Sequence, residues 1–270
     1  MPSTLPSLSA RRAALVGAHP GHELRIHGWL ERARPMVCVL TDGSGSGGAS
    51  RLAQTTALLA RAGATRGPIS GRWTDRELYE ALVGGRHEGL VALACELADA
   101  LAAAGVEVVA GDAAEGFNPG HDLCRLLVNA AVARTAARGG APIENLEFPL
   151  DAAPESSPAP AEPADCGGCR LVLDDAALAR KLAAARDYAG LEQEVCSALD
   201  RHGADAFRIE RLRPVGYGLD LAPLFSGPPR YESFGEERVA LGRYREVLSF
   251  RRHVEPAAAR LRACADGGAP

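Results

Sequence analysis

The chain has no excess of basic residues: 30 Lys and Arg stand against 34 Asp and Glu, a formal net charge of -4 over 270 residues. Without a general positive field a nucleic-acid partner has no electrostatic support, and a small molecule is the default expectation. There is no apolar run near the ~18 residues needed to span a bilayer. The N-terminal stretch "MPSTLPSLSARRAALVGAHPG" is too briefly apolar to read as a secretory signal, so a cytoplasmic protein with no membrane span is expected. No internal repeat suggests a solenoid. The seven cysteines are odd in number for a chain this long, which argues for reduced thiols and against a disulfide framework. Cys38, Cys95, Cys124 and Cys196 lie in apolar patterns and are expected to act as small core residues. Cys166 and Cys169, in "CGGC", have the spacing of a metal or redox pair. They lack a second pair, however, and follow "AAPESSPAPAEPAD", which has the composition of a surface loop.

What is present is enough apolar material for a sizeable core: 47% of residues are hydrophobic and 24% charged. "AALVGA", "MVCVLTDG" and "VEVVAGD" read as short buried strands. Between them, "ASRLAQTTALLARAG" has helical spacing and stops at Gly63, "TDRELYEALVGG" is capped by Thr74 with Glu77 three residues on, and "HEGLVALACELADALAAAG" is a longer helix. A further helix is expected from about His121 to Arg138. This β-α-β alternation predicts a mostly parallel sheet with helices on both faces, and in such sheets ligands collect at the C-terminal ends of the strands. The loops "HPGHE", "TDGSGSGG" and "GDAAEGFNPGH" therefore share one edge. Further on, "DDAALARKLAAARDYAGLEQEVCSALDRHG" reads as one or two helices, "AFRIERLRPV" as a strand, and Gly235 to Ala263 as a closing helical segment.

His19 and His22 flank a Pro-Gly turn after the first strand, and His121 opens a helix after a later one. Three side-chain ligands and one open position suit a catalytic zinc, with Glu23 and Asp122 as candidate partners for an imidazole N–H. His-x-x-His is nonetheless a short motif with many chance matches, so the residues alone leave solvated or otherwise satisfied histidines as the alternative. His27, His87, His202 and His253 take that plainer reading.

Taken in order, "VGAHPGHE", "VCVLTDGSGSGG" and "GVEVVAGDAAEGFNPGHDLCRLLVNAAV" resemble the LmbE/PIG-L family of zinc-dependent deacetylases over about the first 140 residues. "KLAAARDYAGLEQEV" to "FRIE" is more loosely similar to that family's later region. The resemblance implies a Rossmann-like metal-binding core over 1–150, a Pro/Ala-rich loop over 151–169, and a C-terminal helical and strand extension over 170–270 completing a single domain. It also implies removal of an acyl group from the nitrogen of an amino sugar or glycoconjugate, with Zn²⁺ as cofactor. His19 and His121 fall on metal histidines, and His22 falls on the family's aspartate ligand.

The motifs depart from the family where it carries a general base. "HPGHE" replaces "HPDDE", so Gly21 stands in place of the base, and "NPGH" replaces "HPDH", so Asn118 and Gly120 stand in place of a histidine and an aspartate. General-base assistance contributes about 10²–10⁴-fold, so its loss need not abolish hydrolysis. Glu23, Asp112 and Glu115 are candidates for a relocated base, and Asn118 for an oxyanion donor. Asp42, Arg51 and Tyr231 are candidate substrate contacts, with Arg230 and Glu232 beside Tyr231; Asp42 also suits a hydrogen bond to its own loop. "TDGSGSGG" lacks the Lys-Ser/Thr ending of a P-loop and reads as a turn bordering the pocket. Trp29 and Trp73 are expected in the core or pocket wall, and "RYREVLSFRRH" as a solvated helix face or a homo-oligomer contact. The rival to a deacetylase is a catalytically reduced carbohydrate- or metal-binding module, and a third reading is an esterase on the same site.

Overall fold

The structure, a computed structural model, describes residues 10–45, 48–150 and 168–266. The strands are β1 (Ala13–Gly17), β2 (Met36–Thr41), β3 (Thr65–Trp73), β4 (Val108–Asp112), β5 (Glu144–Phe148), β6 (Cys169–Val172) and β7 (Ile209–Pro214). They form a seven-stranded sheet of order β3-β2-β1-β4-β5-β7-β6. Pairing is parallel from β3 through β5, and β7 runs antiparallel to both of its neighbours. The helices are α1 (His27–Ala33), α2 (Leu52–Ala62), α3 (Asp75–Val83), α4 (Glu88–Ala103), α5 (Pro119–Ala137), α6 (Asp175–Arg186), α7 (Glu192–His202), α8 (Arg230–Ala240) and α9 (Glu255–Ala265). The α/β class expected from the alternation is observed.

Successive residues of β1 serve opposite faces, as a strand buried on both sides must. Ala14 and Val16 enter a core shared with α3, α4, α5 and α9, whereas Ala13 and Leu15 enter a second core with α1, α2 and α6. Thr74 and Glu77 form the anticipated reciprocal cap of α3. Glu210 of β7 ties the C-terminal strand pair to the first half of the chain. It is 3% exposed and accepts the N–H groups of Gly28 and Trp29, each at 2.8 Å, as well as the Lys181 ammonium at 2.9 Å.

Several expectations are corrected. Cys196 is exposed on α7, a helix with no buried residue, and is therefore not part of the core; Cys38 and Cys124 are buried and Cys95 half-buried. Cys169 opens β6 opposite Leu212, while Cys166 and the Pro/Ala-rich stretch lie outside the described residues. The closing helical segment is divided: α8 ends before Gly242, and a π-helical turn at Phe250–Val254 leads into α9. Residues 243–249 of "RYREVLSFRRH" are thus bends and irregular backbone, not helix.

The strand order reverses between β1 and β4. At such a switch point the connections leave on opposite faces, and a crevice opens beyond the C-terminal ends of the two strands.

Candidate metal centre

Three imidazoles meet in that crevice. The ring centroids of His19 and His22 are 5.2 Å apart, those of His19 and His121 5.4 Å, and those of His22 and His121 4.6 Å. Rings bound to one tetrahedral ion through nitrogens at ~2.0–2.1 Å would have centroids about 5 Å apart.

His19 and His22 come from the turn after β1. Gly21 adopts φ 108°, and its N–H is accepted by Glu23 Oε2 at 2.9 Å. The short 3-10 turn His22–Ile26 follows, with Glu23 2% exposed. Tyr188 donates to Glu23 Oε1 at 3.3 Å and pairs with the Thr55 hydroxyl at 2.7 Å. Burial pushes the Glu23 carboxyl above its ordinary pKa, outweighing the hydrogen bonds that lower it.

Carboxylates set the proton positions of both loop histidines. His19 Nδ1 lies 2.7 Å from Asp75 Oδ1 and 2.8 Å from Thr41 Oγ1, whose hydroxyl donates to the Ala18 carbonyl at 3.0 Å. Nδ1 therefore carries the proton, and the lone pair falls on Nε2, which is buried without a hydrogen-bond partner. His22 Nδ1 lies 2.8 Å from Asp112 Oδ2, which also accepts the Ala18 N–H at 2.7 Å. Asp112 is fully buried. Burial works to raise its pKa, but the charge and hydrogen bond of His22, with help from His121 and the Ala18 N–H, hold it below the ordinary value. An imidazole whose Nδ1–H is anchored by a carboxylate is oriented and made a better donor at Nε2.

His121 stands in the first turn of α5. Asn118 caps that helix, accepting the Gly120 N–H at 2.7 Å, with Pro119 at the first helical position. Gly120 permits a close approach: a Cβ there would lie 2.9 Å from His19 Nε2.

The three residues fit a divalent cation in donor type and ring spacing, and His19 and His22 also in proton placement. Among the described residues, however, no group of three or more His, Cys, Asp and Glu side chains is arranged to hold a metal ion as it stands.

The other candidate residues are dispersed around this centre. Asp112 and Glu23 are engaged as described. Glu115 accepts the Leu150 N–H at 2.7 Å, and Asp122 Oδ1 accepts the Gly116 N–H at 3.1 Å. It is Asp75 and Asp112, therefore, and not Glu23 and Asp122, that face imidazole N–H groups. Asp42 Oδ1 takes the N–H and hydroxyl of Ser44, closing its own loop. Arg51 lies beside Gly43, which itself abuts Pro20 of the histidine turn. Tyr231 is 5% exposed within the α3–α5 core, where burial raises its phenol pKa. The exposed aromatic nearby is Phe117, 45% exposed, with the Arg230 guanidinium 5.1 Å from its ring centroid. Asp75, Thr41, Tyr188 and Leu191 are the site's neighbours that motif reading missed. The Thr74 cap marks Asp75 as a first-turn helix residue, but no strand legible before it places it on the edge that carries the other loops.

No family model matches the chain, and no curated protein matches it. Solved structures do. The zinc-inhibited form of teicoplanin deacetylase Orf2 is similar at 16% identity and a TM-score of 0.53, over 75% of this chain and 97% of that one. A deacetylase–bog complex from the biosynthesis pathway of teicoplanin is similar at 14% identity and a TM-score of 0.50, again over 75% and 97%. The A40926 pseudoaglycone deacetylase Dbv21 is 18% identical over 76% and 96%, with a TM-score of 0.49. For the two teicoplanin deacetylase structures the likeness, at these identities, establishes a shared fold alone.

Proposed function

We propose that the protein is a metal-dependent hydrolase of the LmbE/PIG-L type that removes an acyl group from the nitrogen of an amino sugar or glycoconjugate, with Zn²⁺ held by His19, His22 and His121. The observation that carries this reading is the pair of anchored imidazoles: Asp75 and Asp112 fix Nδ1–H on His19 and His22, leaving both Nε2 lone pairs for a cation. The fold shared with teicoplanin deacetylase Orf2 supports the reaction class. Bound there, Zn²⁺ supplies Lewis-acid polarisation of the acyl carbonyl and a water that ionises near neutral pH. The chain's own contribution is to orient the ligands, to keep Asp112 ionised beneath them and, through Arg51 and the Phe117–Arg230 pair at the rim, to bind the substrate. Asn118 spends its side-chain oxygen on the α5 cap, so only its amide N–H₂ is open to a donor role.

One observation favours the binding-module alternative. The place of a carboxylate at position 21 is filled: a Cβ on Gly21 would lie 2.4 Å from Leu191 Cδ1. Glu23 and Asp75 use both oxygens in hydrogen bonds, whereas Asp112 spends Oδ2 on His22 and the Ala18 N–H and leaves Oδ1 buried without a partner.

The test is metal content by elemental analysis of tag-free wild type beside His22→Ala, followed by amine release from N-acetyl amino sugars. About one zinc per chain, lost in the variant, with amine release, supports the hydrolase. Zinc without release of amine from any such sugar moves the module to the front. No bound metal in the wild type sinks the three-histidine centre.

A further inference from the structure

Cys95 lies within α4 and Cys264 near the end of α9, 169 positions apart, yet their Sγ atoms are 3.2 Å apart. Both are free thiols. A disulfide needs about 2.05 Å between sulfurs, so an approach of about 1 Å would join them. The two sulfurs differ in access: Cys95 is half-buried, whereas Cys264 is 2% exposed. From α5, Arg134 Nη1 reaches the Cys264 carbonyl at 2.7 Å and its sulfur at 3.7 Å. A guanidinium beside a sulfur favours the thiolate that exchange requires. Burial nevertheless pushes the Cys264 thiol up to about 11, so it is not the thiol an oxidant meets first.

We propose that Cys95 and Cys264 are a redox modification site, forming a reversible intramolecular disulfide when a low-molecular-weight disulfide serves as two-electron oxidant. The Cys95 thiolate attacks one sulfur of the oxidant, forming a mixed disulfide and releasing one small thiolate. The Cys264 thiolate then attacks Cys95 Sγ, breaking the mixed disulfide and releasing the second. Two protein thiols become one disulfide, and the oxidant leaves as two thiols carrying both protons. The link staples α9 to α4. Both helices pack on α5, whose first turn carries His121, so oxidation tightens the layer that supports one wall of the crevice.

The full chain, incubated with excess glutathione disulfide under native conditions and then alkylated, tests this. The expected product carries neither an alkyl group nor glutathione at Cys95 and Cys264 and yields one linked peptide pair containing both, lighter than the two reduced peptides together by two hydrogens. Dithiothreitol reverses it, and Tm rises on the order of 5 °C on oxidation. Cys264→Ser should stop at a glutathione adduct on Cys95. Cys95→Ser, at the half-buried position, should show no internal link and no Tm rise, and it carries the test alone if the buried serine of Cys264→Ser unfolds the protein. A wild type that stops at the mixed disulfide, links other cysteines, or alkylates fully at both positions after treatment overturns the proposal. None of these readouts depends on hydrolase activity or metal.

Discussion

At the scale of single residues, the centre is defined as much by its glycines and carboxylates as by its histidines. Gly21 is held at φ 108°, a conformation that L side chains rarely adopt, with Leu191 against the place a Cβ would occupy. Placing an aspartate there is therefore a backbone problem before it is a chemical one. Gly21→Asp should cost about 1–3 kcal/mol of stability and give no gain in amine release. Urea unfolding and the sugar assay, run on the same preparation, check both. A stable variant with raised turnover would show that the turn accepts a base and that Leu191 yields. Asp75 and Asp112 act through the rings they face, so Asp75→Asn and Asp112→Asn should each weaken zinc affinity about 10–100-fold without removing a ligand. Competition against a chromophoric chelator measures this, and unchanged affinity in both would mean that the carboxylates serve the fold alone. The three histidines were legible because loop residues after successive parallel strands must meet at one edge. Their anchoring was not, because Asp75 follows a strand that the sequence does not announce.

The element scale explains that gap. β3, "TRGPISGRW", carries Pro68 between Gly67 and Gly71 and is confined to the sheet edge, where a missing N–H is tolerated. β5, "ENLEF", buries Glu147 against the Tyr217 hydroxyl and Arg213, so its pattern is not that of an apolar strand. The four-residue β6 is too short for periodicity to register. By contrast α2, α3 and α4 were legible from spacing and caps, because those signals are local. Between these cases lies the joint of β7, α6 and α1, where Glu210 receives two N–H groups of α1 and the Lys181 ammonium, itself 4% exposed. Burial works to lower the Lys181 pKa, and the Glu210 carboxylate opposes it. Removing one partner strands a buried charge. Glu210→Ala should thus lower stability by about 3–5 kcal/mol, and Glu210→Leu with Lys181→Met should recover part of that loss. Urea midpoints at constant m-value decide the matter, and a double variant no better than Glu210→Ala would assign the loss to the cap of α1 instead.

For the molecule as a whole, the centre gathers segments that only the complete sheet brings together. His19 and His22 follow β1, Asp75 opens α3, Asp112 ends β4 and His121 opens α5, while Tyr188 and Leu191 reach the histidine turn from beyond α6. An unfolded chain holds none of this arrangement, so a cation bound by it stabilises the folded state by mass action. At free zinc about 100-fold above its Kd the gain is about 2.7 kcal/mol, or a Tm rise of about 5–10 °C for a chain of this size. Adding a chelator to metal-loaded wild type should lower Tm by that amount, to near the value of chelated His22→Ala, and readdition of zinc should restore the wild type alone. Because the segments span both halves of the chain, the shift should appear in a single cooperative transition, not as the loss of one early phase. Equal Tm values for loaded and chelated wild type would mean that the three rings pack as neighbours without sharing a cation, and the anchoring carboxylates would then be read as satisfying buried imidazole N–H groups.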